Sequence, residues 1–292
     1  MKPGDKIGIV CCSNGRPKTE QSRIEQLRET LLKIGLTPVL GNHIYQQKGV
    51  ASGTGRERAE DLMRFFRDDE IKAIFDLSGG DLANEILPFL DYDAIAGSDK
   101  QFWGYSDLTT VINAIYAKTG KTSVLYQIRN LIDEHGKQQF SDLKHTLLDG
   151  NDDLYGFQYK WVQKDAMEGV VVGGNIRCLL KLAGTPYWPD MNGCILLLES
   201  FHGGVPQMVT YLNQLKQIGV FDAVNGILLG TFTEMEEKGD SPSIEELVRE
   251  YAGSDIPIAK TKQIGHGSDS KGIVIGRRLS FGRRSLSTGV CR

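Results

Sequence analysis

The chain has 292 residues, 40% hydrophobic and 24% charged, with 34 basic against 37 acidic side chains and a formal charge of -3. That composition excludes a disordered or collagen-like chain, and the length suits two cores at roughly 100–200 residues each. The balanced charge offers no global basic field for nucleic acid or an anionic membrane, and no apolar run approaches the roughly 18 residues that span a bilayer.

Along the chain, Lys6–Cys11 is a short β-rich run, and Gln21–Ile34 carries apolar residues at helical spacing until Gly35 stops it. Thr37–Leu40 predicts a second strand, Gly55–Arg67 an amphipathic helix, and Ala73–Leu77 a third strand ended by Ser78-Gly79-Gly80. Asp81–Leu90 reads as helical with Pro88 near its end. Gln101–Gly104 is a fourth strand, followed by a helix over Asp107–Lys118 closed by Gly120. The alternation of strand and helix predicts a parallel sheet covered on both faces. Residues 133–168 are mostly polar and aperiodic and read as a link with a few short strands or turns. Beyond them, strands are expected at Gly169–Val172, Cys194–Glu199, Gly226–Thr231, Ile256–Ala259, Gly272–Ile275 and Leu279–Phe281, with helices at Asn175–Ala183, Val205–Ile218 and Ser243–Tyr251. The expected fold class is therefore α/β: a Rossmann- or flavodoxin-like parallel-sheet domain over residues 1–132, the link at 133–168, and a smaller mixed α/β domain over 169–292.

The opening MKPGDKIGIVCCSNG has too short an apolar stretch for a secretory signal, so the chain reads as cytoplasmic. The five cysteines are odd in number and form no CxxC pair, which predicts reduced, buried thiols rather than a disulfide framework or a structural zinc site.

Chemistry concentrates in a few segments. In QFWGYSDLTTVINAIYAKTG an apolar strand ends at Gly104, Ser106 sits on the turn, and a helix begins at once. That order either exposes a serine hydroxyl beside the Asp107 N–H at a helix N-terminus, or uses Ser106 only as a cap. Ser78-Gly79-Gly80 is either a plain turn or a second backbone donor toward an oxyanion beside Ser106. A serine nucleophile needs a base and an orienting acid. Of the five histidines, His43, His135 and His145 lie in polar stretches and read as surface residues, whereas His266 sits between glycines just after the strand IPIAK. Glu199 closes the apolar strand CILLL, either as that acid or as half of a structural ion pair. His202 follows three residues later, but Gly203 and Gly204 argue against a helical Glu-x-x-His metal pair, so no metal and no cofactor are expected.

These segments carry a family resemblance. PGDKIGIV, SGGDLANEILPFLD, WGYSDLTTVINAIYAKTG, GGNIRCLLKLAGTPY, CILLLES, VNGILLGTF and IGHGSDSKGIVIG occur in the matching order, and through them the sequence resembles the LD-carboxypeptidases, serine peptidases that remove the terminal D-alanine of cytoplasmic murein tetrapeptides. The resemblance implies Ser106 as nucleophile, His266 as base, Glu199 as orienting acid, and the Gly80 and Asp107 N–H groups as oxyanion hole. It also implies a small peptide substrate and a homodimer, while charge and hydropathy predict no nucleic-acid or membrane partner. Arg177 is either an anchor for a substrate carboxylate or a plain surface arginine. The chain departs from the family's pattern at Ser78, where Arg is frequent, at Cys12-Ser13, where Pro-Ser is usual, and at Leu125–Ile128, where a His-Gly-Pro run is common. The short stretch between Ser106 and Glu199 favours the murein branch over the related branch that cleaves microcin-type peptide-nucleotides. An immunity-type peptidase and a non-catalytic ligand sensor are the alternatives.

Overall fold

The computed structural model of the protein describes residues 1–282. The first half contains β1 (Lys6–Val10), α1 (Gln21–Ile34), β2 (Thr37–Leu40), α2 (Gly55–Arg67), β3 (Ile71–Asp76), α3 (Tyr92–Gly97), β4 (Gln101–Gly104), α4 (Thr109–Thr119), β5 (Ser123–Leu125) and α5 (Gly136–Lys144). The second half contains β6 (Lys160–Gln163), β7 (Met167–Asn175), α6 (Ile176–Leu180), β8 (Ile195–Ser200), α7 (Val205–Gln217), α8 (Val220–Ala223), β9 (Gly226–Phe232), α9 (Thr233–Lys238), α10 (Ile244–Ala252), β10 (Ile258–Lys260), β11 (Ile273–Ile275) and β12 (Arg278–Phe281).

The first sheet runs β11-β5-β4-β3-β1-β2. Its five N-terminal strands are parallel, in the 2-1-3-4-5 order of flavodoxin-like folds, whose ligand crevice lies at the carboxyl ends of the strands. The second sheet runs β12-β7-β8-β9-β10-β6, with four parallel strands between two antiparallel edges. The molecule is thus α/β with two mixed sheets.

Packing explains the patterns. On α1 the buried residues Ile24, Leu27, Leu31 and Ile34 form one stripe against the first sheet. The continuous run of β8 faces two ways: Ile195 and Leu197 join the core shared with the first sheet's helices, and Leu196 and Leu198 join the core under α7 and α10. Every residue of β8 is buried, as expected for a strand covered on both faces.

Several elements differ from expectation. The stretch Asp81–Leu90 forms a 3-10 helix over Ala83–Phe89 rather than an α-helix, with Pro88 inside it. A 3-10 turn, Ser106–Leu108, precedes α4. Residues 133–168, read as a link with a few short strands or turns, contain a π-helical turn (His145–Asp149) and β6, an edge of the second sheet, and also an unexpected helix, α5. A short polar helix carries too little hydrophobic periodicity to be seen in sequence. Strand β11, within the 169–292 span, crosses back to pair antiparallel with β5 of the first sheet. Its three residues, Ile-Val-Ile, are apolar on both faces and so carry no mark of which sheet they join. The four described cysteines, Cys11, Cys12, Cys178 and Cys194, are unpaired and buried, while Cys291 lies outside the described residues. No helix among the described residues is long and apolar enough to cross a membrane.

Candidate active site

After β4 the backbone is extended at Tyr105 (φ -149°, ψ 162°) and then reverses at Ser106, whose φ of 56° is one of only two positive values among described non-glycine residues. Such a conformation costs on the order of 1–3 kcal/mol and persists only where surrounding contacts hold it. Ser106 caps neither the 3-10 turn nor α4. Its Oγ lies 3.1 Å from His266 Nε2.

The contacts that hold the turn come from the next residue. The Asp107 carboxylate is fully buried and accepts hydrogen bonds from the Ser13 hydroxyl (2.7 Å), the Ala83 N–H (2.8 Å) and Lys181 Nζ (2.6 Å). It therefore joins the elbow to the loops after β1 and β3 and to the end of α6. Helix α4 is also fixed across the two sheets. The Asn113 amide donates to Gly173 O (2.9 Å) and accepts from Gly173 N–H (2.8 Å), and Thr109 Oγ1 accepts from the Asn175 N–H (3.0 Å).

Glu199 lies on β8 at the register position of Asn175 on β7, and is fully buried. Its Oε2 accepts from His266 Nδ1 at 2.7 Å and from the Tyr105 hydroxyl at 3.2 Å. A carboxylate only accepts, so this contact fixes the His266 proton on Nδ1 and leaves Nε2 free to take the Ser106 proton.

His266 sits on the loop between β10 of the second sheet and β11 of the first. The loop is tied to the second sheet, to itself and to α5. Thr231 N–H on β9 donates to Ile264 O (2.8 Å), the Ser270 hydroxyl closes back on Gly265 O (2.5 Å), and the Gln139 amide on α5 donates to Ser270 O (3.1 Å). Gly265 has φ 151°, and a Cβ there would sit 1.7 Å from Thr231 Oγ1. The imidazole is held between two rings, Tyr105 edge-on at 4.6 Å and Phe201 stacked at 4.8 Å.

Gly80 follows β3 with φ 122°. A Cβ there would overlap the Asn14 side chain at 2.2 Å, so only glycine lets this turn lie against the loop after β1. Among the described residues, no acceptor takes the Gly80 or Asp107 N–H. Gly80, Ser106, Asn175, Arg177, Phe201 and His202 line a cleft of about 520 Å³. Arg177 reaches this cleft but is engaged by the Asp81 carboxylate and by Gly80 O, the latter at 3.1 Å.

Other candidates fall elsewhere. His202 is exposed, lies tilted against the Phe201 ring, and points Nδ1 at Glu234 Oε2, 3.6 Å away, not at Ser106. Among the described residues, no three His, Cys, Asp or Glu side chains cluster as metal ligands. His43, read as a surface residue, is half-buried and its Nδ1 lies 3.1 Å from Asp61 Oδ2. His145 pairs with Asp153 at 2.8 Å, and His135 contacts Ser268 Oγ at 2.7 Å, on the His266 loop. Cys11 and Cys12, at the end of the first strand, are buried in the two cores that flank the sheet and line no part of the cleft. Burial pushes both thiols well above their ordinary range, and the nearby Asp76 adds to it.

Sequence reasoning missed Tyr105, Asn113, Lys181 and Phe201. The first three contact partners 60 or more positions away, at Glu199, Gly173 and Asp107, which no local pattern signals. Only Tyr105, next to the candidate serine, had a positional cue.

The sequence model of the LD-carboxypeptidase N-terminal domain matches residues 7–126, and that of the LD-carboxypeptidase C-terminal domain matches residues 168–281. A probable murein peptide carboxypeptidase of Bacillus subtilis (strain 168) is 30% identical over 96% of this chain and 90% of its own. The microcin C7 self-immunity protein MccF of Escherichia coli is 27% identical over 97% of this chain and 93% of its own. The solved structure of MccF in complex with glutamyl sulfamoyl guanosine superposes with a TM-score of 0.85 at 24% identity, covering 98% of each chain, a likeness of fold.

Proposed function

The chain belongs to the LD-carboxypeptidase family, and from that premise we propose that it is a serine carboxypeptidase that cleaves an LD-peptide bond, releasing the terminal D-alanine of a murein tetrapeptide in cell-wall recycling. The observation that carries this reading is the hydrogen-bonded series Ser106–His266–Glu199 opening on the cleft.

In the proposed mechanism, Ser106 Oγ attacks the scissile carbonyl while His266 Nε2 takes its proton. The Gly80 and Asp107 N–H groups donate to the developing oxyanion. His266 then protonates the leaving amine, and D-alanine departs. A water, deprotonated by the same nitrogen, attacks the acyl-enzyme carbonyl, and the imidazolium returns that proton to Ser106 Oγ as the acyl product leaves. Glu199 stabilises the imidazolium without taking the proton. Arg177 would meet the substrate carboxylate by exchanging its Asp81 partner for it.

In this reading residues 1–132 carry the nucleophile, residues 169–292 carry acid and base, and 133–168 joins them. The homodimer and the cytoplasmic setting belong to the same proposal. Buried, unpaired thiols fit a reducing compartment. Full-length similarity to MccF supports a second reading, an immunity-type peptidase acting on a peptide-nucleotide.

The test is mass-spectrometric detection of free D-alanine from an LD-linked tetrapeptide, run beside glutamyl sulfamoyl guanosine. D-alanine release that is absent from the S106A variant is the expected result. Cleavage of the sulfamoyl nucleotide alone moves the chain to the immunity branch. Turnover of neither, with no fluorophosphonate labelling of Ser106, makes it a binding protein.

A further inference from the structure

We infer that Tyr105 is a positioning residue of the hydrolytic site: its hydroxyl holds the Glu199 oxygen that orients His266, and its ring closes one edge of the imidazole. The inference rests on the triad proposed above. It starts from a juxtaposition within one dipeptide. Tyr105 is extended and Ser106 has positive φ, so adjacent residues reach the two ends of the same relay, Ser106 Oγ at His266 Nε2 and Tyr105 Oη at Glu199 Oε2.

The electrostatics give that contact weight. Glu199 is fully buried, and among the described residues its Oε1 has no partner while Oε2 accepts only from His266 and Tyr105. A buried carboxylate with two donors depends strongly on each. Burial, and then the Glu199 charge, push the Tyr105 phenol well above its ordinary range, so it remains a neutral donor through the working pH. By sharing Oε2, the phenol draws charge from the oxygen that stabilises the imidazolium. It also ties the acid, on the second sheet, to the strand that presents the nucleophile, on the first.

The other titratable groups on elements around His266 are Lys262, Asp269 and Lys271 on its own loop, His135 against Ser268, His202 with Glu234 beyond β8, and Asp107 with Lys181 beside Ser106. Among the described residues, none of them hydrogen-bonds or ion-pairs with Glu199 or the imidazole, and Tyr105→Phe leaves all of them in place.

The experiment is Y105F, which keeps the ring and removes the hydroxyl, assayed on whichever of the LD-linked tetrapeptide and the sulfamoyl nucleotide the wild type turns over. Wild-type turnover and Ser106 labelling are established first, so that failure of the triad reading is seen separately. The expected result is a kcat on the order of 10-fold lower with KM within about twofold, because Tyr105 is buried behind the cleft. The acidic limb of kcat/KM moves to higher pH, because an unshared Oε2 favours the protonated base. Adding Y105F to E199Q costs no further activity. A wild-type kcat and limb, or a loss that follows only the folded fraction, overturns the inference. Should Y105F not fold, 3-fluorotyrosine placed at position 105 supplies a stronger donor. The limb then moves to lower pH, and an unmoved limb overturns the inference equally.

Discussion

At the scale of single residues, the proposed chemistry depends on three side chains whose contacts are short and whose roles differ. Ser106→Ala and His266→Ala are each expected to lower kcat on the order of 10⁴–10⁶-fold, because a nucleophile and its base act as one unit. Glu199→Gln is expected to cost on the order of 10²–10⁴-fold, since the acid orients and stabilises the base without moving the proton. Combining Glu199→Gln with Ser106→Ala adds little. His202→Ala leaves kcat near wild type, because its ring faces Glu234 and Phe201. Steady-state kinetics of the set decide the matter: an inert His202→Ala beside a dead His266→Ala supports the assignment, and the reverse pattern moves the base to the loop after β8.

At the scale of elements, two helices begin with reciprocal caps that couple stability to pH. At the start of α2, the Thr54 N–H (2.7 Å) and hydroxyl (2.9 Å) both donate to Glu57, and Ser243 and Glu246 repeat the arrangement at α10 with the same distances. The backbone N–H first, and the hydroxyl second, hold both carboxylates below their ordinary value of 4.5. A carboxyl whose folded pKa is depressed stabilises the fold above its ordinary value, and that contribution fades as pH falls through the lowered one. Thermal unfolding of wild type against E57Q/E246Q should therefore show a Tm advantage at pH 7 that shrinks below about pH 4.5. A gap that is constant with pH would refute this coupling. The His266 loop is a third element whose form follows from close packing, since Gly265 leaves no space for a Cβ against Thr231.

At the scale of the whole molecule, the site exists only because two sheets are fixed to each other. Asn113 is the most concentrated tie, with one amide satisfying both backbone groups of Gly173 and also donating to Thr109 O. Asn113→Ala leaves a buried N–H and a buried C=O unpaired, at roughly 1–3 kcal/mol each. It should lower denaturant stability by about 2–6 kcal/mol. It should also reduce kcat of the folded fraction, because Ser106 and Glu199 sit on the two sides of this joint. Urea unfolding and kcat at full folding measure the two effects separately, and an unchanged kcat would show that the elbow is placed without Asn113.

The sequence by itself determined the elements with strong periodicity. Helices Gln21–Ile34 and Gly55–Arg67 and strands Thr37–Leu40 and Gln101–Gly104 have the bounds that apolar spacing and glycine stops predict, because each element's burial pattern is written in its own residues. It also singled out Ser106, Glu199 and His266, since a polar residue at the end of an apolar strand or between glycines stands out locally. Tertiary structure alone decided that these three meet, across separations of 67 and 160 positions. It alone took Arg177 into an ion pair with Asp81, buried Cys11 and Cys12 away from the cleft, and sent β11 back to the first sheet. It alone placed Tyr105 against Glu199. The physical reason is common to all of them. A side chain's partner is chosen by which strands lie side by side, and strand neighbours are set by packing of the whole chain rather than by any local run of residues.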